Sequence, residues 1–216
     1  MDPSSIPNHR YHVRQLGLVD YVETWQRMMA FTDDRTPDTV DEIWFLEHPP
    51  VYTLGLNGRR EHVLDPGAIP VIQVDRGGQI TYHGPGQLVV YPLLDMKRLA
   101  LGPRGLVRIL ERATLDCLAE FGIVGHARPE APGVYVEMRK IASIGLRIRR
   151  GGSYHGLAFN ISVDLDPFRG INPCGYRGLE MTRLVDLGGP SDLSEVMPVL
   201  AQHLEHWLIR REIPAG

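Results

Sequence analysis

The sequence predicts a single domain of the α+β class. Three observations predict it. Short apolar runs that read as strands gather in the middle of the chain, and helical periodicity marks both ends and one stretch between. No internal repeat or linker divides the 216 residues. The composition agrees: 43% hydrophobic and 23% charged residues are enough to bury a core without covalent staples.

Residues 1–10 read as a loose tail, which leaves 11–216 for the domain. Leu18, Tyr21, Val22, Trp25, Met28 and Met29 follow helical spacing, so an amphipathic helix is expected over 18–31. A polar loop follows. Apolar runs at 43–46 and 51–54 fit two strands, with His48-Pro49-Pro50 as the turn between them. Residues 70–74, 79–83 and 87–94 read as further strands. Leu106, Leu110, Ala113, Cys117 and Phe121 share one face of a second helix, and Gly122 is its stop. A strand at 133–138 precedes β-rich stretches at 141–148 and 154–163, joined by a turn at Arg149-Arg150-Gly151-Gly152. The last helix is expected over 194–210, with Pro198 tolerated only in its first turn.

Several function classes drop out. Two cysteines make no disulfide framework, and with no CxxC pair no metal site is expected; a reducing compartment is the simpler reading. The first residues, MDPSSIPNHR, are no secretory signal, and no run approaches the ~20 apolar residues that span a bilayer. A formal net charge of -3 gives no support to nucleic-acid binding. A cytoplasmic protein without membrane or nucleic-acid partners is expected.

The densest segment is RGGQITYHGPGQ, starting at Arg76. Glycines 77, 78, 84 and 86 remove side chains that keep a ligand from the backbone, and they can expose N–H groups to an oxyanion. They serve equally as two tight turns. The polar set Arg76, Thr81, Tyr82, His83 and Gln87 exceeds what turns require. Neither a Walker loop nor a dinucleotide fingerprint is present, so no cofactor is expected.

The cysteines differ. Cys117 lies on the apolar helix face and reads as core. Cys174 lies in the loop GINPCGYRG, which can present its sulfur to a substrate as a nucleophile. An unperturbed thiol, with a pKa near ~8.5, needs activation. His83, His155 and Lys140 are the candidates, and spacing does not decide among them. Lys140 stands at the start of a β-rich stretch, where a solvated charge is the ordinary expectation.

Four segments together resemble the octanoyltransferases of lipoate biosynthesis: EHPPVYTLG from Glu47, RGGQITYHGPGQLVVYPLLD from Arg76, RKIASIGLRIRRGGSYHGLAFNIS from Arg139 and GINPCGYRGLEMTRL from Gly170. The resemblance runs from about Tyr11 to about Trp207. It implies the fold of biotin and lipoate ligases, a mixed sheet packed by helices. It implies transfer of an octanoyl or lipoyl group from acyl carrier protein to a lysine. The acceptors it implies are lipoyl domains of 2-oxoacid dehydrogenases and the glycine cleavage H protein. By position, Cys174 would carry the acyl thioester and Lys140 would be its partner. The acyl contacts would fall on Arg76, Gly77, Gly78, Gln79, Ile80, Thr81, Tyr82 and His83, on Ser143, Ile144 and Gly145, and on Gly156, Leu157 and Ala158. The GRGRxGR-type loop of biotin ligases is absent.

Two other classes compete: a Cys–His thioesterase or amidase using Cys174 and His83, and a non-catalytic lipoyl-domain-binding module. Arg59-Arg60 and Arg147, Arg149 and Arg150 are the basic clusters available to an acidic carrier protein, or are ordinary solvated arginines.

Overall fold

A computed structural model describes residues 11–210; the tail expected at 1–10 lies outside the described residues. In chain order the elements are β1 (Tyr11–Leu18), α1 (Tyr21–Asp33), β2 (Asp41–Glu47), β3 (Val51–Leu54), β4 (Val71–Gln73), β5 (Ile80–His83) and β6 (Gln87–Leu93). Then come α2 (Pro103–Glu120), β7 (His126–Ala127), β8 (Gly133–Val136), β9 (Arg139–Arg149), β10 (Gly152–Asn160) and α3 (Leu193–Arg210).

Seven strands form one mixed sheet in the order β1-β2-β6-β10-β9-β8-β7. Only β1 and β2 run parallel in it. The other three make a small sheet, β4-β3-β5. The expected α+β class with a mixed sheet is therefore present.

Strand alternation divides the core. Ile43 and Phe45 of β2, with Leu88 and Val90 of β6, face α2 and α3. Trp44 and Leu46, with Val89 and Tyr91, face α1 through Met28. The small sheet has its own cluster around Tyr52, Leu54, Ile80, Tyr82 and Phe168. Cys117 is fully buried on α2, and burial pushes its thiol up to about 12.

The differences from the sequence reading have physical causes. Patterning does not reveal β1, because six of its eight residues are exposed and no apolar alternation marks it. The first helix begins at Tyr21, where the Asp20 side chain accepts from the Glu23 N–H at 3.0 Å. Pro198 lies inside α3 rather than in its first turn. Ser194 C=O loses its helical partner there, yet the buried stripe Val196, Leu200, Leu204 and Leu208 holds the helix in place. Strands β5 and β6, adjacent in sequence, belong to different sheets, because β5 pairs with β3.

Candidate active site

Lys140 is the second residue of β9, and its exposure is 1%. It is not the solvated charge that a strand start suggests. The stretch after Cys174 is tied to it: Lys140 N–H donates to Glu180 O at 2.8 Å, and Thr182 N–H to Lys140 O at 2.9 Å. This parallel bridge fixes the Cys174 loop against β9.

The result is a close pair. Lys140 Nζ stands 3.1 Å from Cys174 Sγ and donates to Pro132 O at 2.9 Å. The Tyr135 ring lies 5.3 Å from the same nitrogen. Burial works against the Lys140 ammonium, but the thiolate charge of Cys174, then Tyr135, and hydrogen bonds to both raise its pKa above 10.5. Cys174 is partly exposed and sits at φ 56°, left-handed for a residue with a side chain. Such backbone aims the sulfur at Lys140 from a short turn, Pro173–Gly175.

A partly open pocket, lined by neither Cys174 nor Lys140, runs between the large sheet, the small sheet and the start of α1. Of the expected contacts, Arg76, Thr81, His83, Ser143, Gly145, Gly156, Leu157 and Ala158 line it. Gly77, Gly78, Gln79, Ile80, Tyr82 and Ile144 do not. Alternation explains three of these: Ile80 and Tyr82 point into the small sheet's own core, and Ile144 packs on the α2 and α3 side. The glycines have another task. Gly78 O accepts from Asn57 N–H at 3.2 Å and Arg76 O from Leu56 N–H at 2.9 Å, so backbone packs directly on backbone here. Nor do these glycines offer spare donors throughout: Gly77 N–H is spent on Leu146 O and Gly86 N–H on Glu47 Oε2. Gln79 instead abuts the turn at Gly175.

Tyr21, Val89 and Tyr91 also line the pocket, although sequence patterning places them on ordinary core faces; His155 joins them. Arg76 is buried with no carboxylate partner among the described residues, its guanidinium held by Thr53 Oγ1 at 2.9 Å and Gly77 O at 2.9 Å. Burial lowers its pKa, and the charges of Tyr21 and Cys174 draw it back. His83 is committed elsewhere: Nδ1 meets Gln87 Oε1 at 2.7 Å and Nε2 meets Thr53 Oγ1 at 3.3 Å. Burial, then His48, hold it well below its usual range. His155 Nε2 meets Asp75 Oδ1 at 3.1 Å. Of the three candidate activators, only Lys140 contacts the thiol. Among the described residues no cluster suits a metal ion, and no helix is long and apolar enough to cross a membrane.

The chain matches the lipoyl protein ligase A/B catalytic domain over residues 20–205. It belongs to that family. It is 60% identical over 203 residues to an octanoyltransferase of Alkalilimnicola ehrlichii, covering 94% of each chain. It is 58% identical to an octanoyltransferase of Laribacter hongkongensis, covering 92% of this chain and 96% of that one. The expected kinship with octanoyltransferases is therefore present, and the family member described here is an acyltransferase. The fold is also that of a lipoate protein ligase from T. acidophilum (TM-score 0.74, 15% identity, 92% of this chain and 85% of that one). It is shared with biotin protein ligase of Aquifex aeolicus (TM-score 0.56, 13% identity, 91% and 68%).

Proposed function

We propose that this acyltransferase moves an octanoyl group from acyl carrier protein to the lysine of lipoyl domains through a thioester on Cys174. The acceptors are lipoyl domains of 2-oxoacid dehydrogenases and the glycine cleavage H protein. The observation that carries the reading is the 3.1 Å contact between Cys174 and the buried Lys140.

The chemistry follows from the contact. Cys174 thiolate attacks the donor thioester carbonyl; a carbon–sulfur bond forms and the donor's breaks. The leaving pantetheine thiolate takes a proton from the Lys140 ammonium. An incoming lysine amine then attacks the acyl-enzyme, and its surplus proton passes through Lys140 as the Cys174 thiolate leaves. Thioester exchange is nearly balanced, and amide formation drives the second step. A thiol and an amine in contact titrate as one system, so apparent pKa values belong to the pair. The pocket contributes ~0.8 kcal/mol per buried methylene toward holding the chain.

The Cys–His hydrolase reading loses its base, because both ring nitrogens of His83 bond to Gln87 and Thr53. The test is intact mass after mixing with octanoyl-acyl carrier protein and no acceptor. One octanoyl group is expected on the wild type and on Cys117→Ala, none on Cys174→Ala, and discharge on adding a lipoyl domain. Octanoate accumulating without an adduct would instead mark a hydrolase.

A further inference from the structure

Lys140 has a carboxylate near it that the transfer mechanism does not use. Glu111 is a half-buried residue of α2 that reaches the start of β8. Its Oε1 accepts from Gly133 N–H at 3.0 Å. The carbonyl of the same peptide, Pro132 O, accepts from Lys140 Nζ at 2.9 Å. Lys140 Nζ stands 3.1 Å from Cys174 Sγ. Carboxylate, peptide, ammonium and thiolate therefore follow one another in an unbroken line of contacts. The peptide turns its N–H to the negative group and its C=O to the positive one, so its dipole favours both charges. Hydrogen bonds in such a chain polarise and strengthen one another.

Glu111 and Lys140 also act on each other as charges. Burial raises the Glu111 pKa, and the Gly133 N–H, then the Lys140 ammonium, then Arg108 draw it back. Arg108 is exposed and lies one turn earlier on α2. The second half-reaction is where this matters. Burial works against a proton on Lys140, and the Cys174 charge is the first of the groups that oppose burial, followed by Tyr135. Once the sulfur carries an acyl group, that charge is gone. Yet Lys140 must then accept the surplus proton of the attacking amine. The Tyr135 ring at 5.3 Å and the Pro132 carbonyl remain in contact with Nζ, and Glu111 is the carboxylate behind that carbonyl.

We propose that Glu111 is a positioning residue of the second half-reaction: through the Pro132–Gly133 peptide its carboxylate orients Lys140 and keeps it able to take the proton of the attacking amine. No bond forms or breaks at Glu111. The proton moves from the amine nitrogen to Lys140 Nζ as the Cys174 thiolate leaves. The assignment rests on the acyl-thioester reading above.

Lys97 and Lys140 are the only lysines of the chain, which makes the test direct. Lysine labelled with carbon-13 at Cε gives one NMR signal for each, and the exposed Lys97 is the internal control. In Cys174→Ala the thiolate charge is absent, as it is in the acyl-enzyme. On that background Glu111→Gln keeps an oxygen for Gly133 N–H and removes only the charge. The Lys140 titration should then move to lower pH while that of Lys97 stays in place. With Cys174 present, Glu111→Gln should slow discharge of the octanoyl-enzyme by a lipoyl domain about tenfold and slow octanoyl addition by a smaller factor, both read by intact mass. An unmoved Lys140 titration overturns the proposal. So does a variant that discharges like the wild type, or one that slows both steps alike, the mark of a merely structural residue. A wild type that takes up no octanoyl group removes the thioester reading and this role with it, a result distinct because it appears before Glu111 is changed.

Discussion

At the scale of single residues, the proposed chemistry turns on Lys140. A buried ammonium is costly unless something compensates it. Here the compensation is the Cys174 sulfur and the Pro132 carbonyl. Because the Lys140 pKa is raised above 10.5, its charge stabilises the fold fully below that value and is lost only as pH rises through the higher one. The ammonium is thus intact at neutral pH, ready to hold a thiolate and to give up a proton. Lys140→Met should fold, since the side chain volume is nearly kept, and should lower acyl-enzyme formation about 100-fold or more at pH 7. Single-turnover intact mass reads that rate, and a Lys140→Met variant acylated at close to the wild-type rate would end the role given to the ammonium. Arg76 gives a contrasting case. Its position in the glycine-rich segment is legible as polar and special, but its burial is not. Nothing in a sequence tells that Thr53 will hold its guanidinium at 2.9 Å.

At the scale of elements, the pair depends on how β8 passes beside β9. Gly133 opens β8 at φ 135°, and its N–H reaches across to Glu111 Oε1 on α2 at 3.0 Å. A Cβ there would stand 2.6 Å from Lys140 Cε and collide with Ala142 O. Gly133→Ala should therefore shift Lys140 from the sulfur and strain the strand entry. The expected result is a loss of roughly 1–3 kcal/mol in stability, by denaturant titration, and at least a tenfold fall in acylation. Unchanged acylation in a folded variant would show that Lys140 tolerates displacement. The same elements show what patterning reveals. The runs at 43–46 and 87–94 are apolar on both faces and become β2 and β6, which helices or the small sheet cover on each side. β1 escapes because an exposed edge strand needs only backbone pairing, here in parallel with β2. The four family segments bring most of the pocket wall into view. Alternation within them then separates Thr81 and His83, which face the pocket, from Ile80 and Tyr82, which do not. Tyr21, Val89 and Tyr91 stay hidden because a pocket face and a core face carry the same periodicity.

At the scale of the whole molecule, the pocket is the seam where two sheets and α1 meet, and the seam is closed by neutral histidines. His48 Nδ1 bonds Val19 O at 2.7 Å and Nε2 bonds the Tyr91 hydroxyl at 2.8 Å, which ties the end of β1 to the middle of β6. Burial lowers the pKa of His48 to about 4, and burial likewise lowers His83 and His155. His48 and His83 stand 5.9 Å apart ring to ring, so protonating either one opposes the other. The sign of the consequence is fixed. Groups whose folded pKa is depressed contribute stability above their unfolded value of 6.5, and that contribution is lost as pH falls toward the folded value. Each such histidine adds about 1.4 kcal/mol per pH unit to the slope below 6.5. Asp75 acts in a separate window. Desolvation opposes its charge, but His155, Tyr154 and Trp25 bond the carboxylate and hold it at about 2, so its share is lost only below 3.8. Unfolding free energy should thus be flat from pH 8 to pH 7 and fall between pH 6.5 and pH 4, before the carboxylate titrates. His48→Gln should keep a hydrogen bond to Tyr91 and flatten that slope by about one histidine's share. Denaturant titrations at pH 7, 6 and 5 read both slopes, and parallel lines for the two proteins would mean that the seam is not what acid opens.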